Sequence, residues 1–153
     1  MKRLMFDPFF LMGLSIRLLL LLILSPAAIS NWYSPFLEAS VNTFTIDPWS
    51  AWITAGRDSS AFPYGYAMWL FFLPMSLVAK LTGFSFGMAY SLTLLIFDAA
   101  MLFVLCQQWA EKKRLILYAY WLSPIVLVAT YALGLNDIIP ALLLLSLIHI
   151  SEP

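Results

Sequence analysis

Charged residues are scarce in this sequence, and their scarcity argues against an ordinary soluble domain. Lysine, arginine, aspartate and glutamate together make up 10% of the 153 residues, whereas soluble domains carry about 25%. Hydrophobic residues make up 63% of the chain, and its mean hydropathy is +0.90. A chain of this length cannot bury so much apolar surface in a core of its own. We therefore expect lipid to surround most of it.

Cysteine and histidine are nearly absent, and basic residues are not in excess. The single cysteine, Cys106, excludes an intrachain disulfide, and the sequence has no Cys/His cluster of the kind that binds zinc. We predict that Cys106 is a packing residue, because it lies inside an apolar run. The formal net charge is zero, which gives the chain no basic surface for nucleic acid.

Long apolar runs predict an all-α protein, specifically a polytopic bundle of transmembrane helices. Three runs, at residues 9–29, 86–106 and 115–135, supply the roughly 20 residues that a span requires. A fourth run begins at Ile138. The first run has a second interpretation as a signal peptide, but the apolar runs that follow it favour a retained anchor.

The distribution of positive charge predicts the orientation of these runs. Lys2 and Arg3 precede the first run, which places the N-terminus in the cytoplasm and residues 30–65 on the outer side. The basic cluster at residues 112–114 is then cytoplasmic only if the short apolar stretch 66–81 does not cross the bilayer. Because that stretch also contains Pro74, we predict an outer juxtamembrane or re-entrant helix there.

The stretch from residue 44 to residue 66 contains most of the candidate functional side chains. It combines three of the few charges with aromatic, proline and glycine residues, and its candidates are Asp47, Arg57, Asp58, Tyr64 and Tyr66. Asp47 and Pro48 form a typical N-cap and first residue for a short surface helix within residues 42–55. We expect Trp49 and Trp52, three residues apart, to anchor that helix at the membrane interface.

Two charges interrupt the predicted spans. Arg17 lies in the first run and Asp98 in the second. Because an isolated charge in the membrane is costly and usually faces a partner, we predict that Arg17 and Asp98 form a structural ion pair. A separation greater than about 8 Å between their side chains contradicts the prediction, since burial would then be unrelieved.

The last eight residues, SLIHISEP, resemble the translated sequencing adapter that is sometimes fused to predictions from fragmentary DNA. We expect native sequence to end near Leu145 and residues 146–153 to be a non-native tail. On this interpretation His149 and Glu152 have no functional role.

The order of features resembles the N-terminal part of the GT-C glycosyltransferases, polytopic enzymes that take a sugar from a polyprenyl-phosphate carrier. These include mannosyltransferases and aminoarabinose transferases. The resemblance covers most of residues 1–145. It rests on four segments: IDPWSAWITAG around Asp47, FPYGYAMWL from Phe62, the basic cluster at 112–114, and SPIVLVATYALGLND ending at Asp137. Several of these families have Gly-Gln-x-Asp where this chain has Gly-Leu-Asn-Asp.

The resemblance implies sugar transfer on the outer face of a membrane, here the bacterial inner membrane. It identifies Asp47 as the catalytic carboxylate, which takes a proton from the acceptor as it attacks the anomeric carbon. Asp58 and Glu38 are rival bases, and the implied substrate-binding residues are Arg57, Asp58, Tyr64, Asn136 and Asp137. For this role Asp47 and Asp137 must meet at one outer cavity.

The resemblance leaves open which cation assists the reaction and whether the function is enzymatic. The negative charge of the departing phosphate needs a cation, either a basic side chain such as Arg57 or a divalent metal ion; no other cofactor is implied. The implied partners are the lipid bilayer and the polyprenyl-phosphate donor. A transporter or flippase fragment and a non-catalytic membrane scaffold are the alternative functions.

Overall fold

The computed structural model describes residues 2–151, and all regular structure in that range is helical. The expected all-α class is confirmed for these residues. Glu152 and Pro153, in the predicted tail, lie outside the described residues, as do the side chains of Lys2, Arg3 and His149. The α-helices are α1 (Lys2–Met5), α2 (Pro8–Ile23), α3 (Ser34–Asn42), α4 (Pro48–Thr54), α5 (Tyr66–Thr82), α6 (Phe86–Gln108), α7 (Lys113–Ile116), α8 (Pro124–Leu127) and α9 (Ile138–Ser151).

Irregular helical turns join several of these helices. A 3-10 turn, Ala110–Lys112, precedes α7. Within residues 2–151, π-helical turns occur at Ile29–Tyr33, Leu117–Trp121 and Val128–Ala132. Such turns add a residue to the helical repeat and are frequent at functional sites.

The chain forms two compact units. Within the described residues, unit 1 comprises residues 2–24 and 94–151, and unit 2 comprises residues 25–93. Helix α6 contributes its first residues to unit 2 and the remainder to unit 1.

Helix α2 begins where the sequence predicts and ends earlier than the apolar run. The carboxylate of Asp7 accepts a hydrogen bond from Phe9 N at 2.9 Å, and Pro8 takes the first helical position. Leu24 has an extended backbone, and Pro26 follows two residues later. Pro26 disfavours the α conformation at Ser25, and Leu24 before it is already extended. The helix therefore ends at Ile23 although the apolar run continues to Ile29.

Helix α5 agrees within one residue with the helix predicted at 66–81, and it continues through Pro74. It runs from Gly65, its N-cap, to Gly83, whose φ of 72° ends it in the left-handed conformation, and Pro74 lies inside it. Proline removes one backbone hydrogen bond. Two side-chain contacts to α3 hold α5 in place: Trp69 Nε1 donates to Ser40 Oγ at 3.0 Å, and Lys80 Nζ donates to the Val41 carbonyl at 2.5 Å.

Among the described residues, α6 is the helix that is long and apolar enough to cross a bilayer by itself. Its 23 residues correspond to about 35 Å at 1.5 Å per residue. The predicted span at 115–135 is instead broken before Pro124 into Ala110–Trp121 and Pro124–Ala132, which are inclined at 48° and meet the same criterion if they form one span. Helices α2 and α5 are apolar but shorter.

The core of unit 2 is aromatic. Phe36 and Phe72 are buried, and Phe36 stacks on Phe62 with ring centroids 5.0 Å apart. Phe72 stacks on Tyr90 at 4.4 Å. The aromatic cluster of this unit consists of Tyr33, Phe36, Trp49, Trp52, Phe62, Tyr64, Tyr66, Trp69, Phe72 and Tyr90.

Candidate functional site

Asp47 caps helix α4, which was the alternative role that its sequence position suggested. Its Oδ1 accepts a hydrogen bond from Ser50 N at 3.1 Å, and its Oδ2 accepts one from Ser50 Oγ at 2.5 Å. The hydroxyl and then the backbone N–H of Ser50 lower the pKa of Asp47, because both hydrogen bonds favour the ionised form. Each oxygen of this exposed carboxylate is therefore engaged within its own turn.

Asp58 lies in a local turn, as its neighbours Ser59 and Ser60 suggest. Its Oδ1 accepts hydrogen bonds from Ser60 N and Ser60 Oγ, both at 2.8 Å. These bonds lower the pKa of Asp58, the one from the backbone N–H most strongly. The backbone carbonyl of Asp58 also accepts a hydrogen bond from Trp52 Nε1 at 2.7 Å, so this turn fixes the indole of Trp52.

Arg57 is held by that indole. Its guanidinium carbon lies 4.5 Å from the centroid of the Trp52 ring, a cation–π distance. Trp52 is 8% exposed, and Arg57 is exposed. The aromatic ring thus restricts a long, flexible cation at the surface of unit 2.

Tyr64 and the tryptophans pack mainly on other aromatic rings. The Tyr64 hydroxyl lies 3.2 Å from the Tyr33 hydroxyl, and Tyr66 packs edge-on against Trp49 at 4.8 Å. Trp49 Nε1 donates to the Phe62 carbonyl at 2.9 Å. Tyr64 and Trp49 line a shallow surface cavity of 350 Å³.

Two polar clefts flank helix α3, a helix that the sequence analysis did not predict. The α3–α4 cleft has a volume of 390 Å³ and reaches Trp52 and Arg57. The α3–α5 cleft has a volume of 490 Å³ and reaches Lys80. Glu38 and Asn42, one helical turn apart on α3, line both clefts. The helical spacing of Phe36, Leu37, Ser40 and Val41, all buried, is the pattern that could have revealed α3.

In unit 1 the structure brings Arg17 and Asp98 into contact. Arg17 Nε donates to Asp98 Oδ2 at 2.6 Å, and both side chains are fully buried. Arg17 Nη1 donates to the carbonyls of Gly13 at 3.2 Å and Trp121 at 2.5 Å. The guanidinium carbon also lies 3.6 Å from the centroid of the Trp121 ring. Nη2 is the one buried atom of this guanidinium without a hydrogen-bond partner among the described residues.

Two tyrosines complete the coordination of Asp98, and the sequence analysis missed both. The hydroxyl of Tyr120 donates to Asp98 Oδ1 at 2.6 Å, and that of Tyr131 donates to Asp98 Oδ2 at 2.7 Å. Tyr120 lies in the π-helical turn Leu117–Trp121 and Tyr131 in the turn Val128–Ala132. A buried carboxylate needs several hydrogen-bond donors. These tyrosines are among the few residues of the apolar runs whose side chains can donate a hydrogen bond.

Asn136 and Asp137 also lie in unit 1, with different surroundings. Asn136 is 1% exposed, and its Nδ2 has no hydrogen-bond partner among the described residues. Asp137 is exposed, and its backbone carbonyl accepts from Ala141 N at 3.1 Å at the start of α9. Asp47, by contrast, belongs to unit 2. Their meeting at one cavity stays a prediction.

The chemistry available in the described residues is that of carboxylates, hydroxyls and guanidinium groups. Within residues 2–151, no three His, Cys, Asp or Glu side chains are close enough together to hold a metal ion. In unit 2, Arg57 lines the α3–α4 cleft and Tyr64 lines the shallow surface cavity. Arg17 and Asp98 form a separate buried cluster in unit 1. Comparison with known proteins found no matching family model, curated protein or solved structure.

Proposed function

We propose that this chain is a polytopic membrane protein and part of a glycosyltransferase that takes a sugar from a polyprenyl-phosphate donor on the outer face of the membrane. The proposal rests on the resemblance to the GT-C enzymes, and the structure supplies physical support for two of its requirements. These are an apolar surrounding medium and a polar substrate site.

The apolar medium is supported by an inverted distribution of side chains. Arg17 and Asp98 have no exposed surface, whereas large apolar side chains on the same unit are highly exposed, including Leu22 at 75% and Ile125 at 79%. A protein in water exposes charges and buries such residues. The opposite arrangement is that of a protein whose solvent is lipid, where charges face each other inside the bundle. This distribution is the structural observation that carries the membrane part of the proposal.

The polar substrate site is supported by unit 2. Its clefts of 390 and 490 Å³ fall within the range of about 300–1,000 Å³ that is usual for small-molecule sites. The 390 Å³ cleft combines a carboxylate, a guanidinium and an indole, carried by Glu38, Arg57 and Trp52. These groups suit hydroxyl groups and the apolar face of a sugar ring.

Such a site performs transfer by a single displacement. A carboxylate accepts the proton of the acceptor hydroxyl as the acceptor oxygen forms a bond to the anomeric carbon. The bond from that carbon to the phosphate oxygen breaks, and its electron pair leaves with the lipid phosphate. A nearby cation stabilises the charge that the phosphate gains, and Arg57 is the basic side chain at the α3–α4 cleft.

The bonding of Asp98 favours this function over transport. A transport path requires Asp98 to face a cavity in the membrane without Arg17 satisfying it. Asp98 instead accepts from Arg17, Tyr120 and Tyr131. A structural role for the pair agrees with the enzyme proposal.

The test is donor binding in a lipid environment. The chain is reconstituted in nanodiscs and incubated with radiolabelled polyprenyl-phosphate-linked mannose, glucose and 4-amino-4-deoxyarabinose. We expect saturable retention of one donor above that of empty nanodiscs and of nanodiscs given free polyprenol. Retention equal to the empty nanodiscs for all three donors would overturn the proposal.

A further inference from the structure

We infer that Glu38, rather than Asp47, is the carboxylate of unit 2 that contacts the substrates. On this inference the Glu38–Asn42 side of α3 is the binding edge for a neutral polyhydroxylated ring. The inference rests on the proposed function and assigns the substrate-facing residues of the same site.

Helix α3 presents Glu38 to open space on two sides. Glu38 and Asn42 are four residues apart, so they lie on one face of the helix, and both are exposed. That face borders the 390 Å³ cleft toward α4 and the 490 Å³ cleft toward α5. In the described part of the chain, these two residues alone are common to both clefts.

The carboxylates differ in the hydrogen bonds that they already make. Both oxygens of Asp47 accept from Ser50, and Asp58 accepts twice from Ser60. Glu38 makes no ion pair or side-chain hydrogen bond with the residues that the structure describes. Asp47 and Asp58 must each break local hydrogen bonds before they can accept a proton or bind a ligand hydroxyl. Glu38 has to lose only bound water.

A fixed cation and a fixed aromatic ring lie on the cleft wall opposite α3. Trp52 is locked by its hydrogen bond to the Asp58 carbonyl at 2.7 Å, and Arg57 rests on its ring at 4.5 Å. On the other side Lys80 is tied to the Val41 carbonyl at 2.5 Å. Because neither cation needs to be ordered on binding, the entropic cost of using it is reduced.

The lining matches a ring with several hydroxyl groups better than a multiply charged ligand. The α3–α4 cleft offers an acceptor in Glu38, donors in Arg57 and Asn42, and a hydroxyl in Thr43. One carboxylate and one guanidinium balance each other in charge. Such an alternation of donors and acceptors beside an indole satisfies hydroxyls that both donate and accept.

For transfer, the same geometry makes Glu38 the base. The acceptor hydroxyl loses its proton to a carboxylate oxygen of Glu38 as its own oxygen bonds to the anomeric carbon. The lipid phosphate departs with the electrons of the broken bond, and Glu38 returns its proton to water. No additional reactant is needed.

The experiment compares two isosteric substitutions in the full chain in nanodiscs. Glu38→Gln removes the charge from the binding edge of α3, and Asp47→Asn removes a charge while keeping an N-cap side chain. We expect Glu38→Gln to weaken retention of the donor about tenfold, the loss of one hydrogen bond to a charged group. Asp47→Asn is expected to leave retention unchanged. Thermal unfolding of both variants checks that they fold as the parent does.

Unchanged retention in Glu38→Gln, or loss confined to Asp47→Asn, would overturn the inference while leaving the proposed function intact. A second arm uses water-soluble methyl hexosides and ligand-observed NMR. If the parent retains no lipid-linked donor but its methyl hexoside signal depends on Glu38, the proposed function fails and the binding edge stands. If the hexosides give no Glu38-dependent signal and no donor is retained, both fail.

Discussion

Arg17 and Asp98, 81 residues apart in sequence, form a 2.6 Å ion pair with no exposed surface. Around this contact the guanidinium stacks on Trp121 and reaches two backbone carbonyls, while Asp98 accepts from two tyrosines. Such a pair offsets the cost of burying its charges only when these additional bonds are present. The cluster therefore ties α2, α6 and the broken helix of unit 1 into one arrangement.

Removing one member of this pair is expected to destabilise the protein strongly. Arg17→Met leaves Asp98 as a buried charge without its cation, and the expected loss is about 3–5 kcal/mol. The measurement is the free energy of unfolding in detergent. The double variant Arg17→Met with Asp98→Leu is the matched control, because it removes both charges together. We expect it to be more stable than Arg17→Met alone; an equal or greater loss would show that the two charges do not interact.

Tyr131 is expected to contribute through its hydroxyl rather than through its ring. Tyr131→Phe keeps the aromatic packing and removes a donor to Asp98 Oδ2. The expected loss is about 1.5–3 kcal/mol, the usual value for a hydrogen bond to a charged group. Tyr118→Phe is the control, because Tyr118 is 51% exposed and is not a partner of Asp98. Equal stability of the two variants would contradict the assigned role of the Tyr131 hydroxyl.

The sequence predicts those features that depend on local chemistry. The Asp47–Pro48 start of α4 follows from capping preferences, and the length of α6 follows from its apolar run. The contact of Arg17 with Asp98 could be predicted because each buried charge had few available partners. In each case one requirement, either of the local sequence or of two charges that need each other, was enough to predict the feature.

Features that depend on tertiary packing were not predicted. Pro74 lies inside α5 without ending it, and contacts to Ser40 and Val41 hold the helix on either side of the proline. Helix α3 was not predicted, although its buried residues Phe36, Leu37, Ser40 and Val41 have helical spacing. The two clefts form because α3 packs beside α4 and α5. They could therefore not be predicted from the sequence.

Replacing Gly13 by a larger residue is expected to destabilise the protein, because the indole of Trp121 occupies the space beside it. A β-carbon at this position would overlap Trp121 Cδ1 and Nε1. The ring cannot move away easily, since Trp121 is fully buried and its Nε1 donates to the Phe10 carbonyl at 2.9 Å. We expect Gly13→Ala to cost about 1–3 kcal/mol of unfolding free energy, as other overpacked cores do.

The control for Gly13→Ala is Gly87→Ala, in which the added carbon meets its nearest neighbour, Ile29 Cγ2, at an ordinary 3.6 Å. Its effect is expected to stay within about 1 kcal/mol, the size of the helix-propensity difference. Thermal unfolding of the two variants side by side makes the comparison. A Gly13→Ala variant as stable as Gly87→Ala would mean that the Trp121 ring is not fixed against α2.

The cap formed by Asp47 is expected to make the stability of unit 2 depend on pH at the acid end. The hydroxyl and backbone N–H of Ser50 lower the pKa of Asp47 from its usual 3.8. A carboxylate whose pKa is lower in the folded state stabilises that state fully above its unfolded pKa. The stabilisation is lost as pH falls through the lowered, folded-state value.

Comparing the parent with Asp47→Asn isolates this effect, because asparagine caps a helix about as well as aspartate and does not titrate. We expect the two proteins to have similar thermal midpoints at neutral pH, and the parent to lose stability faster than the variant below pH 3.8. Asp58, whose pKa is also lowered, titrates in both proteins and cancels from the difference. Asp47→Ala, which removes the cap altogether, is expected to lower the midpoint at every pH. If the thermal midpoints of the parent and of Asp47→Asn fell equally with decreasing pH, the Ser50 hydrogen bonds would not stabilise the ionised form of Asp47.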